Sequence, residues 1–403
     1  MLDGKLSAWP FYSQEEIDAV SHVLASNRVN YWTGNIARQF EDEFAAWCDT
    51  EFAIAVHNGT LALELALRAL EIGPGDEVIV TPRSFIASAS TVVNIGATPI
   101  FADIDPVTET LNAQTIEEVL TPASKAVIVV HLAGMPCDMD PIMELAGNHN
   151  LRVIEDCAQA HGASYKGRPV GSIGDIGAWS FCQDKIMTTG GEGGMVTTND
   201  RSLWSAMWSY KDHGKSWEAV YEREHPEGYR WLHESIGSNF RMLEVQAAIG
   251  RIQLKKMAEW SARRHDIAKR FAHVCQGLPS VVLPPRRNGS RHAYYRFTVQ
   301  TNPDGLLPDW DRDRIMAELA KHDIPVFVGA CAEIYREGAF VELGLSPVQP
   351  LPNAIQVGSR SLAFLTHPTL SDDEVDKVAS VMRDVFEHCS DPEAVSAQMV
   401  GAS

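Results

Sequence analysis

A lysine that acts as a nucleophile must be confined, and one lysine in this 403-residue chain has such a setting. Lys185 closes the run Ser180-Phe181-Cys182-Gln183-Asp184-Lys185, and Thr188-Thr189-Gly190-Gly191-Glu192-Gly193-Gly194 follows it. Burial in a tight turn is expected to lower its pKa and leave a free amine that attacks carbonyls. A lone lysine is otherwise a surface residue, so the reading depends on its companions. Asp156 ends the apolar run Val153-Ile154-Glu155-Asp156, and open α/β sheets build their sites at such strand ends. Without partners it would read as a solvated loop acid. Gln159 and His161 follow within reach of the same pocket, whereas His131 reads as a hydrogen-bonded strand-end histidine. Asn58-Gly59-Thr60 separates an apolar run at 52–56 from a strongly helical stretch at 61–70. Free N–H groups at that helix start suit a phosphate; the competing reading is an Asn-Gly hairpin turn.

One cofactor needs this set. Pyridoxal 5'-phosphate (PLP) requires an amine for its aldehyde and a carboxylate on its pyridine nitrogen. It also requires N–H and hydroxyl donors for its phosphate and a flat group against its ring.

The elements around these residues alternate. Ser13-Gln14-Glu15-Glu16 is a capping box that opens a helix to about residue 24. Strand patterns at 77–81, 98–102, 126–130 and 152–155 alternate with helical ones such as 141–149. That predicts an α/β fold with a mostly parallel sheet covered on both faces. Residues 204–234 read as a helix and a long functional loop. A long helix over 243–275 leads out of the first unit, followed by a strand at 293–299 and helices at 309–322 and 371–386. The expected division is 1–255, a large PLP-binding domain with the N-terminal helix, and 256–403, a small α+β domain.

Composition narrows the function. Hydrophobic residues make up 45% and charged residues 22%, as in ordinary globular proteins. No apolar block resembles a signal peptide or a membrane span, so no membrane partner is expected. Seven scattered cysteines form no C-x-x-C pair, which argues against disulfide frameworks and zinc sites; no metal is expected, and a reducing cytoplasm fits. A net charge of −19 argues against nucleic-acid binding. Gly214-Lys215-Ser216 contains part of a P-loop pattern, but Ser209 stands where its first glycine belongs. Lys211 and Lys215 lack the Ser-x-x-x-x-Lys setting of Lys185.

The motifs jointly resemble one family. Asn58-Gly59-Thr60, Gly73-Pro74-Gly75-Asp76, Pro82 with Phe85, Asp103-Ile104-Asp105, His131-Leu132-Ala133-Gly134, Glu155-Asp156-Cys157-Ala158-Gln159-Ala160, Ser180 with Lys185, Gly191-Glu192-Gly193-Gly194 and Gly237-Ser238-Asn239-Phe240-Arg241-Met242 occur in the order of the DegT/StrS-type sugar aminotransferases. The resemblance implies the aspartate-aminotransferase-like fold, PLP fold type I. It implies that Lys185 carries PLP as a Schiff base and shuttles a proton, and that Asp156 pairs with the pyridine nitrogen. Gln159 would lie near the phenolic oxygen and Phe85 on the ring, with Gly59, Thr60 and Ser180 on the phosphate. Asn239 would reach the phosphate of the neighbouring subunit's cofactor, which implies a homodimer with shared sites. The family more often has Ser where Asn58 stands, and of a histidine pair in the C-terminal half only His292 remains.

The implied activity moves an amino group from an amino acid, glutamate in most of the family, to a keto-sugar carried on a nucleotide. Arg230, Arg241 and His292 are assigned to substrate on charge and position, with His233 nearby. The alternatives are a PLP-dependent keto-sugar dehydratase, a cyclitol aminotransferase and a non-catalytic regulator. Retention of Lys185 favours transamination, because some of the dehydratases carry histidine there.

Overall fold

The computed structural model describes residues 6–285 and 289–393. The chain opens with α1 (Gln14–Ala25), where Ser13 N–H donates to Glu16 Oε2 at 2.9 Å, as the capping box requires. Then come α2 (Ile36–Cys48), β1 (Phe52–Val56), α3 (Gly59–Ala69), β2 (Glu77–Val80), α4 (Ala87–Asn94), β3 (Thr98–Phe101), α5 (Ala113–Glu117), β4 (Ser124–Val130), α6 (Met139–His149) and β5 (Arg152–Asp156). A small hairpin, β6 (Ser164–Tyr165) and β7 (Arg168–Pro169), precedes β8 (Ile176–Ser180), β9 (Gly194–Thr198), α7 (Arg201–Lys211) and α8 (Trp217–Tyr221).

Seven strands form one sheet in the order β1-β9-β8-β5-β4-β2-β3. The pairs from β8 to β3 are parallel, and β9 runs antiparallel between β1 and β8. Strands covered on both faces need near-continuous apolar runs, and Ala126–Val130 and Ile176–Ser180 are buried along their whole length. Because β1, β2, β4, β5 and β8 point the same way, the residues just past them share one edge. Asn58, Phe85, His131, Asp156 and Ser180 are therefore neighbours although far apart in sequence.

One helix joins two cores. α9 (Glu244–Cys275) has 32 residues, about 48 Å at 1.5 Å per residue. Met257 belongs to a core with Phe40, Phe44, Trp179 and Phe181; Ile267, three turns on, belongs to another with Phe297, Phe364 and Phe386. The second core is covered by the antiparallel strands β10 (Val281–Val282), β11 (Arg296–Thr301), β12 (Val326–Phe327) and β13 (Ser361–Leu365), ordered β10-β11-β13-β12. α10 (Arg312–Lys321) and α13 (Asp372–Cys389) complete it, while α11 (Gly338–Glu342) and α12 (Pro352–Arg360) pack elsewhere. Ile334, Tyr335 and Phe340 pack with Val80 and Phe101 in a further core against the large sheet. We propose the segments 1–255 and 256–403 as two domains that share α9.

The strand expected at 293–299 begins later. Residues before Arg296 are taken by the large sheet's edge loop: Ala293 N–H donates to Gly134 O at 2.8 Å and Tyr295 N–H to Ala133 O at 3.0 Å. β11 then alternates, with Phe297, Val299 and Thr301 buried in the second core and Arg296, Thr298 and Gln300 on the other face.

α9 also organises the N-terminal part. The buried Glu244 carboxylate accepts Ile36 N–H at 2.6 Å and Ala37 N–H at 3.2 Å, two donors that the start of α2 leaves unsatisfied. A side chain at Gly34 would collide with this carboxylate. Glu244→Ala should lower unfolding stability by about 2–3 kcal/mol, read as a lower urea midpoint; an unchanged midpoint would remove Glu244 from this role.

Candidate active site

The site begins with two strand ends in contact. β1 and β8 flank β9, and Gly194 at the start of β9 lies under Asn58, where an added Cβ would meet Asn58 O at 2.4 Å. The same packing sets Gly59 against Ser180: a Cβ on Gly59 would sit 2.6 Å from Ser180 Cβ. Asn58 caps α3, its Oδ1 accepting Leu61 N–H at 2.9 Å. The first N–H groups of a helix lack intrahelical partners, so those of Gly59 and Thr60 stay available beside the Ser180 hydroxyl. The hairpin reading of Asn58-Gly59 is thereby replaced by a helix N-terminus.

Lys185 lies in the turn between β8 and β9. Trp9 Nε1 donates to Lys185 O at 2.9 Å, and Lys185 N–H to Cys182 O at 3.0 Å. α9 grips the following residues through Gln253 Oε1, which accepts Thr188 N–H at 2.9 Å, and Gln246 Nε2, which donates to Glu192 O at 2.8 Å. The lysine side chain is 16% exposed and faces a cavity of about 500 Å³. Phe85, Ala133, Gln159, Asp184, Tyr295 and Arg296 line the same cavity. Gln159 Oε1 accepts Ala133 N–H at 2.7 Å, which orients its amide.

The lysine's charge departs from the sequence expectation. Burial works against the ammonium, but the charges of Tyr295 and Asp184 outweigh it, so its pKa lies above the ordinary lysine value. Its Nζ is 3.2 Å from Asp184 Oδ1 and 5.3 Å from the centre of the Tyr295 ring. Burial pushes the Tyr295 phenol up, so near neutral pH the negative charge facing Lys185 is that of Asp184. The Tyr295 hydroxyl donates to Asp184 Oδ2.

Asp156 is 5% exposed at the end of β5. Ser88 Oγ donates to its Oδ2 at 2.8 Å and Ala158 N–H to its Oδ1 at 3.1 Å. Burial raises its pKa despite these donors and the charge of Lys185. A buried carboxylate in that condition gains from a cationic partner. The residues present thus fit PLP: an amine in a cavity, a buried carboxylate short of positive charge, and unused donors where Gly59 meets Ser180.

Residues 10–383 match the DegT/DnrJ/EryC1/StrS aminotransferase family. The chain belongs to that family. The spore coat polysaccharide biosynthesis protein SpsC of Bacillus subtilis (strain 168) is 38% identical over 389 residues, 93% of this chain and 95% of the relative. The GDP-perosamine synthase of Caulobacter vibrioides is 38% identical over 362 residues, 88% and 92% of the two chains. The crystal structure of an aminotransferase from Psychrobacter cryohalolentis superposes with a TM-score of 0.94 at 56% identity, covering 96% of this chain and 100% of that one. The aminotransferase described here accordingly has the type I fold and uses PLP.

Other assignments fall elsewhere in the aminotransferase. His161 does not line the cavity. It is buried between Trp179 and Phe181, and burial lowers its pKa to about 3. His292 stacks on Tyr294 at 4.2 Å in a separate cavity and accepts Tyr294 N–H, and burial holds it near 3 as well. Arg241 is bound to the buried Asp212 at 2.7 Å, and Arg230 is exposed on the segment after α8. Neither lines the Lys185 cavity of its own chain. Lys211 is buried 3.8 Å from the Tyr31 ring, and Lys215 pairs with Asp212, so neither competes with Lys185. Sequence reading missed Ser88, Tyr295 and Arg296. None of the three carried a usable signal, because Ser84 lies before α4 rather than on its face and the contacts of Tyr295 and Arg296 are made across the fold.

Only the neutral amine attacks an aldehyde, so capture of added PLP by cofactor-free protein should quicken as pH rises toward the Lys185 pKa. Asp184→Asn leaves burial less opposed and should move the midpoint of that capture-rate profile to lower pH. A midpoint that stays or rises would contradict the charge assignment.

Proposed function

We propose that this aminotransferase transfers an amino group from glutamate to a nucleotide-linked keto-sugar, in amino-sugar or polysaccharide biosynthesis. The observation that carries the reading is Lys185 facing a cavity beside the buried Asp156, in a chain similar to SpsC and to GDP-perosamine synthase. When bound, PLP supplies the electron sink that allows an amino group to change carriers. Asp156 keeps the pyridine nitrogen protonated. Gly59, Thr60 and Ser180 hold the phosphate, Phe85 covers the ring from the cavity rim, and Gln159 stands beside the phenolic oxygen. Lys185 Nζ would hold the cofactor through its aldehyde and would be the group that moves a proton during transfer. The two substrates bind in turn, a ping-pong order that one cavity accommodates.

We assign the working form to a homodimer in the cytoplasm. Asn239 is exposed, in a cleft with His57 and Leu61 beside the α3 N-terminus, a position suited to reach across a two-fold axis. Arg230 and His233 on the exposed segment after α8 are candidates for the neighbouring subunit's substrate. Among the described residues no helix is long and apolar enough to cross a membrane.

Purified protein with PLP should be yellow, and borohydride should fix the cofactor on the peptide containing Lys185. Lys185→Ala should lose that fixation and at least roughly 10²–10⁴-fold in turnover; wild-type turnover would end the assignment. Loaded with pyridoxamine phosphate, the protein should regain its visible band with a nucleotide-linked keto-sugar. A response only to a cyclitol ketone would favour the cyclitol reading instead.

A further inference from the structure

The cavity holds three cations, and two are committed. Lys185 pairs with Asp184 and takes the cofactor. Arg83 is 1% exposed and neutralised by Glu109 at 2.8 Å, and its remaining donors reach Ser361 Oγ at 2.9 Å and Ala330 O at 3.3 Å. Arg296 is different. Among the described residues no carboxylate lies within ion-pair distance of it, and its one recorded hydrogen bond is from Nη1 to Tyr295 O at 3.3 Å. A guanidinium has five N–H donors, so most of this group is unspent.

Arg296 is also held in place. Its Cζ lies 4.6 Å from the centre of the Tyr295 ring, just before β11, and 5.7 Å from that of Phe327 on β12, a cation–π clamp. The alternation of β11 aims it away from the second core, beside Thr298 and Ala363, both on the cavity wall. Lys185 Nζ lies 5.3 Å from the same Tyr295 ring centre. The two distances to that ring add to about 10 Å, the most that can separate the two cations.

We propose that Arg296 binds a carboxylate of the amino-acid donor, an inference that rests on the transaminase reading above. An amino acid carries a carboxylate on the carbon that bears its nitrogen. A nucleotide-linked sugar carries its diphosphate on a different carbon from the ketone that reacts. A planar, immobilised guanidinium within reach of Lys185 suits the first, because its fork accepts a carboxylate through two parallel N–H···O bonds.

The test uses PLP-loaded enzyme and follows the visible cofactor band as L-glutamate is added. Arg296→Gln should raise the glutamate concentration for half-maximal rate roughly 10- to 100-fold. Arg296→Lys should recover part of that loss. Both variants should keep the wild-type cofactor band, which shows that the site is folded. Binding of UDP, GDP and dTDP by calorimetry should not change. Unaltered glutamate dependence, or a loss confined to nucleotide binding, would overturn the assignment of Arg296 alone. A wild-type band that ignores L-glutamate would overturn the donor reading and this inference together.

Discussion

An ammonium group buried beside a carboxylate stands at the centre of this molecule. Lys185 Nζ is 3.2 Å from Asp184 Oδ1, and the hydroxyl of Tyr295, 111 residues from Asp184, donates to that same carboxylate. Burial works to lower the lysine's pKa, and the neighbouring Tyr295 and Asp184 raise it above the ordinary value. The charge on the proposed cofactor-binding amine is therefore set by burial against its neighbours. That balance requires a residue just before β11 to meet a turn between β8 and β9.

This meeting explains why the chain has two cores joined by one helix. The cavity lies on the seam, with Phe85, Gln159 and Lys185 from the large sheet's edge and Tyr295, Arg296 and Phe327 from the smaller one. Arg83 ties the seam shut from the side: its guanidinium reaches Glu109, Ser361 and Ala330 at once. Gln300, on the same face of β11 as Arg296, reaches Glu109 Oε1 at 3.0 Å and extends the network. A buried, hydrogen-bonded ion pair confers registry more than net stability, and registry of the two halves is what the cavity needs.

Behind the site, a second polar group is saturated. His131, Glu155 and Cys157 lie close enough to share an ion, yet both ring nitrogens of His131 and both carboxylate oxygens of Glu155 already have partners. Glu155 accepts N–H groups from Gly171, Ile173 and Gly174, and His131 Nε2 lies 2.9 Å from it. Cys137 N–H donates to His131 Nδ1 at 3.1 Å, which leaves the imidazole proton on Nε2. These residues hold the loops after β4 and β5 in place, and the strand-end reading of His131 matches that arrangement.

The sequence by itself determined the alternation of strands and helices and the parallel sheet, and it named Lys185, Asp156, Gly59 and Ser180 as candidates. These are local matters: apolar periodicity, a capping box, and short motifs whose residues act within a few positions of one another. It could not determine the sign of the Lys185 shift or the seats of His161, Arg241 and His292, and it did not point to Ser88, Tyr295 or Arg296. Each of those depends on what packs against the residue from elsewhere in the chain. Ser88 matters because α4 lies over the end of β5, and Arg296 because the pleat of β11 turns it to the seam rather than the core. Charge and hydrogen bonding act through space, so only the tertiary structure could decide them.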